Sequence, residues 1–575
     1  MLGLFKKESF ITSRASILIF AGILLLGVFL RFNLLSSIPN GLQQDETSIG
    51  YNAYSIVQTG RDEYGQGYPV LFKAFGEYKL PGYIYLSTLP VWIFGPNAFA
   101  VRFVSAFFGS ISIVILYLLL REMIGKKDMV LPLVASFLLA VNPWHLHFSR
   151  GAFEVTPALF FILSGVYLYF VSLRKKSIAL FLFSIFIGSL SLYTYNIARV
   201  FTPLLYIGMF LLYRPDQFVR SVRQKILVSS LLVVLCGIFL LHVMQSGGYS
   251  STRGTLLFTS AEVQSRILEF RSYLVVLPPI FTKLFFNSFV LSLFQYMQNI
   301  LSYFSMSFLF LTGSTHGNHG IGNVGQMYSI ELLFFCVGLI VSFKARVKYF
   351  IFFLLWAVFV ILVAATTREA PHATRGFFLI VPLVVFSATG CIAVIRFFVT
   401  QKRRSIRYGG IIVISIFFIF NMLYYFVSYY NRFPVFYAPQ WRSEDAALAD
   451  YLKANESKYV EILIDKDTDL IYSSLLYHLP FPPKDFQETV KRLPDDSEGF
   501  SKVESFGKYR YKAIDWEKDM SKPHTLIITS KADSRSLPIL ERFYYPQRPV
   551  VVANGQEIVS FPITDQAYVV LETTP

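Results

Sequence analysis

Long apolar runs alternate with short polar connectors along the first three quarters of the chain. Runs near 15–32, 100–120, 129–144, 156–173, 178–195, 198–213, 226–244, 326–343, 349–366, 374–396 and 408–428 are long enough, or nearly so, to cross a bilayer as helices. The pattern predicts an α-helical polytopic membrane protein with about eleven transmembrane helices. A further part-apolar stretch, 284–311, is expected to lie along the membrane interface. If it spanned, everything after it would switch sides. Beyond Tyr430 the pattern changes to frequent charge and alternating signals. EILID, TLIITS and YVVLE read as strands, and helices are expected near 442–455 and 484–493. About 145 residues suffice for one small α/β or α+β domain, 431–575.

Charge sets the topology. The connectors REMIGKK, RKK, YRPDQFVRSVRQK, KARVK and RFFVTQKRRSIRY, with the amino terminus, carry 21 Lys and Arg, whereas the short connectors between them, 145–155, 196–197 and 367–373, hold only Arg150 and Arg368. The positive-inside rule places the basic set and the amino terminus in the cytoplasm. Two long loops, 33–99 and 245–325, and the domain 431–575 are then extracytoplasmic. The expected division is a membrane domain 1–430 and a soluble domain 431–575. The first run follows Lys6, Lys7 and Arg14 without a small-residue cleavage site, so it is expected to stay as a signal anchor in a plasma (inner) membrane.

Composition narrows the function classes. Apolar residues make up 54% of the chain and the mean hydropathy is +0.51, which excludes an ordinary soluble protein. The net charge of +16 does not indicate nucleic-acid binding, because the basic residues sit in short clusters between apolar runs. Cys236, Cys336 and Cys391 each fall inside such a run, so no disulfide framework or zinc spacing is present.

The candidate chemistry gathers at loop ends. Asp45-Glu46 follows the first run, Asp62-Glu63 and Lys79 come later in the same loop, and NPWHLHFSRGAFEVTP holds His145, His147, Arg150 and Glu154. Arg199 follows the fifth run; His316 and His319 lie in LTGSTHGNHGIGNVG; Arg368, Glu369, His372 and Arg375 lie in TTREAPHATR. Carboxylates beside lipid are costly and are functional candidates by default. Among lysines, arginines and histidines they suit a transfer in which a base takes a hydroxyl proton and fixed cations hold a leaving phosphate. Outside the cytoplasm an activated sugar must ride on a lipid phosphate. Each residue also has a plainer reading. Asp45 and Glu46 suit the first turn of a helix, and Asp62-Glu63 a solvated turn. Lys79 could snorkel, Arg150 and Glu154 could pair along a helix, and the histidines could be ordinary loop or belt residues. His316 and His319 are the candidate ligands should a divalent metal serve; no other cofactor is indicated.

In this order the motifs resemble the GT-C polyprenyl-phosphate-sugar glycosyltransferases, which include protein O-mannosyltransferases and the lipid A aminoarabinose transferase. Gln44-Asp45-Glu46 resembles the family's Asp-Glu motif, GEYKLPGYIY its lysine-proline segment, FSRGAFEVTPALFF its Ser-Arg stretch, and PHATRGFFLIVPLVV the basic start of a late span. The resemblance covers about 15–430. It implies a GT-C-like fold and an inverting single displacement from a polyprenyl-phosphate-linked sugar to a hydroxyl of a protein, lipid or glycan. It implies Asp45 as catalytic base, with Glu46 beside it, and Lys79, Arg375, His372 and Arg368 as phosphate-binding residues. Arg150, Glu154 and Arg199 would support them. Glu154 stands where an aspartate is usual, Ser314 replaces an acidic residue of the second long loop, and no Trp-Trp-Asp occurs, which disfavours the oligosaccharyltransferase branch. The competing readings are a lipid-linked glycan flippase, which expects charges and broken helices at mid-membrane, and a non-catalytic polysaccharide-assembly protein.

Overall fold

The structure is a computed structural model that describes residues 13–74, 78–125, 128–215, 261–273, 279–344, 349–468, 470–496, 500–530, 539–544, 551–553, 556–559 and 566–573, with isolated positions 221, 224, 230 and 237. The expected span 226–244 apart from positions 230 and 237, the polar stretch after it, and Lys6 and Lys7 lie outside the described residues. The chain is mostly helical and carries a sheet near its carboxyl end. Among the described residues, five helices are long and apolar enough to cross a membrane: Arg14–Phe32, Ala98–Ile124, Val155–Lys175, Phe377–Val399 and Arg404–Phe436. The protein is a multi-pass membrane protein. Every expected span within the described residues is occupied by helix, including the shorter Val130–Val141, Ile178–Tyr193, Ala198–Leu212, Glu331–Lys344 and Phe350–Ala364.

The chain forms two compact units. One comprises 1–33, 105–149 and 153–426. Its first helix, α1 (Ser13–Phe32), turns Leu18, Leu25 and Phe29 outward, and the helix Arg404–Val427 does the same with Val413, Ile416 and Phe420. Apolar side chains on an outer surface are the mark of hydrocarbon as solvent. The expected span 129–144 breaks at Asn142-Pro143. Asn142 takes an extended conformation, as residues before proline do, and its side chain accepts from His145 N–H at 2.9 Å to cap a short helix, Pro143–Phe148. His145 and His147 are therefore buried helical residues instead of loop residues. The helices Glu331–Lys344 and Ile380–Val399 pack backbone to backbone. A Cβ on Gly338 would overlap the Phe386 carbonyl, and one on Gly390 the Phe334 carbonyl. Small residues permit this approach between membrane helices.

The other unit comprises 34–104, 150–152 and 427–575. The expected first loop, 33–99, is largely structured: α2 (Gln44–Thr59), a two-stranded hairpin pairing Phe72 with Lys79, and α3 (Pro81–Phe94), which is followed by α4 (Ala98–Ile124). It packs with the tail, so the structure does not divide at 430/431 as expected. Thr47 Oγ1 lies 3.0 Å from Ser473 Oγ, Tyr51 donates to the Phe481 carbonyl at 3.2 Å, and Gly50 leaves room for the Tyr477 ring. Among the described residues the tail sheet has seven strands in the order Lys491–Arg492, Val503–Phe506, Tyr509–Lys512, Glu461–Asp465, Thr525–Thr529, Gln566–Glu572, Ile539–Tyr544. Glu461–Asp465 runs parallel to both its neighbours, and the remaining pairs are antiparallel. Leu463, Ile527, Val569 and Leu571 form its core. All three strands expected from sequence are present.

The glycine contact generates a test. Gly390→Val should destabilise the protein by about 1–3 kcal/mol through overpacking, read as a lower thermal midpoint in detergent, whereas Gly409→Val, where a Cβ meets open space, should not.

Candidate functional site

The acidic pair opens α2, where the dipole favours negative charge. Adjacent helical residues point about 100° apart, so the two carboxylates have different surroundings. Glu46 is fully buried. It accepts from Arg102 Nε at 2.9 Å and Nη2 at 3.0 Å, from Ala152 N–H at 2.8 Å and from Gln43 N–H at 3.2 Å. Arg102, also fully buried, spends its remaining donors on the carbonyls of Leu35, Pro39 and Gly41. Its guanidinium lies 5.6 Å from the Trp441 ring. Glu46, expected beside Asp45 as a catalytic residue, is thus a structural anchor: four donors occupy its carboxylate and none belongs to Asp45. Arg102 was not singled out from sequence. Its signal was a lone arginine in the apolar run AFAVRFVSAFF.

Asp45 points the other way. Its side chain is 56% exposed, yet Lys79 Nζ, on a side chain only 4% exposed, donates to Asp45 Oδ1 at 2.6 Å. The hairpin and the rigid start of α3, with Leu80 extended before Pro81, hold Lys79 there. The structure brings together the two residues expected to act as base and phosphate ligand. Lys79 does not snorkel outward.

Two expectations in the same unit change. Asp62-Glu63 does form a turn, with Asp62 Oδ1 accepting from Tyr64 and Gln66 N–H at 2.9 and 2.8 Å, but both residues are buried rather than solvated. The tail covers them: Gln487 donates to the Asp62 carbonyl at 2.8 Å, and Arg492 stacks 3.8 Å from the Tyr64 ring. Burial pushes the Glu63 carboxyl up to about 7. Arg150 donates to the carbonyls of Leu34 and Ile38 at 3.4 and 3.0 Å and to Tyr429 at 3.3 Å. That makes it a brace for the start of the first loop.

The membrane unit holds a separate polar cluster. The rings of His316 and His319 stack at 4.8 Å, and His319 and His372 lie 4.6 Å apart. His147 Nε2 sits 2.9 Å from the Asn318 carbonyl. Glu369 Oε2 lies 3.6 Å from His372 Nε2 and 3.8 Å from Arg375 Nη2. Arg368 is exposed on the same loop. Burial first, then Arg375 and the neighbouring imidazoles, push the His372 imidazole down to about 2, so it is a neutral group at ordinary pH. Among the described residues no three His, Cys, Asp or Glu side chains are grouped to hold a metal ion. Glu154 acts electrostatically on Arg199. His145 is tied to another missed residue, Arg31: its Nη2 lies 2.7 Å from His145 Nδ1 and donates to the Leu139 carbonyl, and its Nη1 donates to the Ala140 carbonyl.

Comparison with known proteins agrees with the resemblance drawn from the motifs. Residues 79–243 match the family described as dolichyl-phosphate-mannose-protein mannosyltransferase. ArnT from Cupriavidus metallidurans, solved bound to undecaprenyl phosphate, superposes with a TM-score of 0.53 at 9% identity over 97% of this chain and 98% of its own. The archaeal oligosaccharyltransferase AglB from Archaeoglobus fulgidus matches with a TM-score of 0.49 at 13% identity over 82% of this chain; the chain spans 64% of AglB's length. The protein O-mannosyltransferase Pmt1-Pmt2 complex of S. cerevisiae matches over 44% of this chain and 37% of that chain, at 17% identity and a TM-score of 0.31. No curated protein matches. The chain shares its fold with ArnT, a helical membrane region with a sheet-containing tail.

Two outcomes test the site. Glu46→Ala strands a buried guanidinium and should cost about 3–5 kcal/mol, seen as loss of monodisperse protein, whereas Asp45→Asn, which keeps an oxygen for the buried Lys79, should fold normally. The unfolded His372 takes up a proton near pH 6.5 that the folded one refuses, so stability is present above that pH and is lost as pH falls toward about 2. The thermal midpoint should drop between about pH 7.5 and about pH 5, and His372→Gln should flatten that slope.

Proposed function

We propose that this protein is an integral membrane glycosyltransferase. It moves a sugar from a polyprenyl phosphate to an acceptor hydroxyl on the extracytoplasmic face, by a single inverting displacement. The observation that carries this reading is the Asp45–Lys79 pair, a half-exposed carboxylate on a buried ammonium. While Lys79 donates to Oδ1, the ammonium's charge makes the carboxylate a weaker base. A phosphate replacing Asp45 on Lys79 satisfies the ammonium and frees the carboxylate as general base. Asp45 then accepts the acceptor's hydroxyl proton as its oxygen bonds to the anomeric carbon. The bond from that carbon to the phosphate oxygen breaks, and its electron pair leaves with the phosphate, whose charge Lys79 stabilises. Arg375, His372 and Arg368 are assigned to the same donor's phosphate from the motif they share with the family. His372 serves there as a neutral N–H donor. Glu46 and Arg150 hold the backbone from which Asp45 projects.

A lipid-phosphate donor is supported by the family that residues 79–243 match and by the undecaprenyl phosphate bound to ArnT, whose fold the chain shares. The basic connectors support a cytoplasmic amino terminus and an extracytoplasmic tail domain in the plasma membrane. The acceptor is a protein, lipid or glycan hydroxyl.

Asp45→Asn should lower transfer from a panel of polyprenyl-phosphate-linked sugars by about two to four orders of magnitude, with donor binding retained. Lys79→Met should weaken donor binding instead. Full transfer by Asp45→Asn protein would remove the base and leave the flippase reading.

A further inference from the structure

One helix of the membrane unit is inside out. Ser288–Ser302 turns Ser292 and Asn299 inward, both nearly inaccessible, while Phe289, Phe294 and Leu301 are each about two thirds or more exposed (72%, 65% and 69%). In water this arrangement would be unfavourable on both faces. Against a bilayer it is favourable on both. The helix Phe350–Ala364, to which it is fastened, also turns Ile351, Leu354, Val358 and Leu362 outward. At 15 residues the inverted helix is about 22 Å long, too short to cross hydrocarbon.

Its inward polar side has a specific use. Asn299 Nδ2 donates to the carbonyls of Ala365 at 3.0 Å and Thr367 at 2.9 Å, where the helix Phe350–Ala364 ends. Tyr296 donates to the Leu362 carbonyl at 2.9 Å. These are carbonyls that a helix terminus leaves unsatisfied. One residue past the helix, the buried Tyr303 accepts from His372 N–H at 3.3 Å, and a Cβ on Gly376 would lie 2.7 Å from its ring. The loop 365–376 is therefore gripped at both ends by one helix. Trp144 adds a third hold by donating to the Ala373 carbonyl at 3.2 Å.

We propose that Ser288–Tyr303 is a bilayer-seated brace that shapes the 365–376 loop for an anionic lipid headgroup, with Asn299 and Tyr303 as positioning residues. The inference rests on the reading that this loop takes the donor's phosphate. The apolar face fixes the helix in the bilayer, Asn299 fixes the first residues of the loop, and Tyr303 fixes the His372 backbone from which Arg375 is presented.

The test compares affinities of the full chain in lipid nanodiscs for undecaprenyl phosphate and for undecaprenol, its uncharged analogue. Asn299→Ala and the nearly isosteric Tyr303→Phe should each lower the preference for the phosphate by about tenfold, with undecaprenol binding unchanged. A preserved preference in Tyr303→Phe overturns the brace, provided Arg375→Ala abolishes it. Equal weakening for both lipids overturns positioning in favour of a merely structural role. If Asn299→Ala does not fold, Tyr303→Phe decides alone. A preference untouched by Arg375→Ala shows instead that the loop does not take the phosphate, and the proposal falls with that reading.

Discussion

The ion pair between Glu46 and Arg102 is the constraint on which the candidate active site depends. Both groups are withdrawn from water, and that desolvation is offset only because every donor of the guanidinium and both carboxylate oxygens are engaged. The same contacts fasten three carbonyls of the segment before α2 and the Ala152 amide. They fix the first turn of α2 in position and rotation, and therefore where Asp45 projects. A carboxylate that must meet an incoming hydroxyl needs such definition, since small displacements reduce the benefit of proximity. Lys79 holds the Asp45 side chain, and Glu46 holds the helix turn beneath it.

Buried arginines recur as staples. Arg31 holds the carbonyls at the end of Val130–Val141, Arg102 those before α2, and Arg150 those of Leu34 and Ile38. Each satisfies backbone acceptors at a segment end, where helix carbonyls lack partners. A planar, permanently charged fork with five donors suits this role better than lysine. The lysine of the site has the opposite task. Lys79 offers a compact charge to one oxygen, which a phosphate oxygen can replace without rearranging a fork.

The membrane architecture was legible because the apolar runs are long and the basic connectors one-sided; the tail strands were legible because EILID, TLIITS and YVVLE are short β-branched and leucine-rich runs. Motif order assigned Asp45 and Lys79 to one reaction, but their direct ion pair was not read from the sequence. The organised part of the first loop was not read, although QDETSIGYNAYSIVQTG carries a helix signature: acids in the first turn and Gly60 at a left-handed carboxyl cap. Its apolar side is served by Tyr, Ala and Gly, which pack on Tyr477 and Phe486 of the tail, and periodicity does not reveal a partner over four hundred residues away. Asp62-Glu63 was misread as solvated for the same reason, since Gln487 and Arg492 cover it from the tail. Glu46 could not be told from Asp45 in sequence; only the rotation of α2 separates an anchor from a projecting acid.

That rotation gives the Asp45–Lys79 pair its direction. A fully exposed pair would be worth little and would exchange freely with water and salt. A fully buried pair would resist opening, because each charge would be left without solvent. Here the burden is uneven: Lys79 is buried and must always have an anionic partner, while Asp45 can be released into solvent. An anion arriving at Lys79 therefore substitutes for Asp45 at small cost, and departure of Asp45 without a substitute is disfavoured. In the proposed mechanism the pair is a switch whose state follows the occupancy of the lysine, and the carboxylate regains its basicity when a phosphate takes the ammonium.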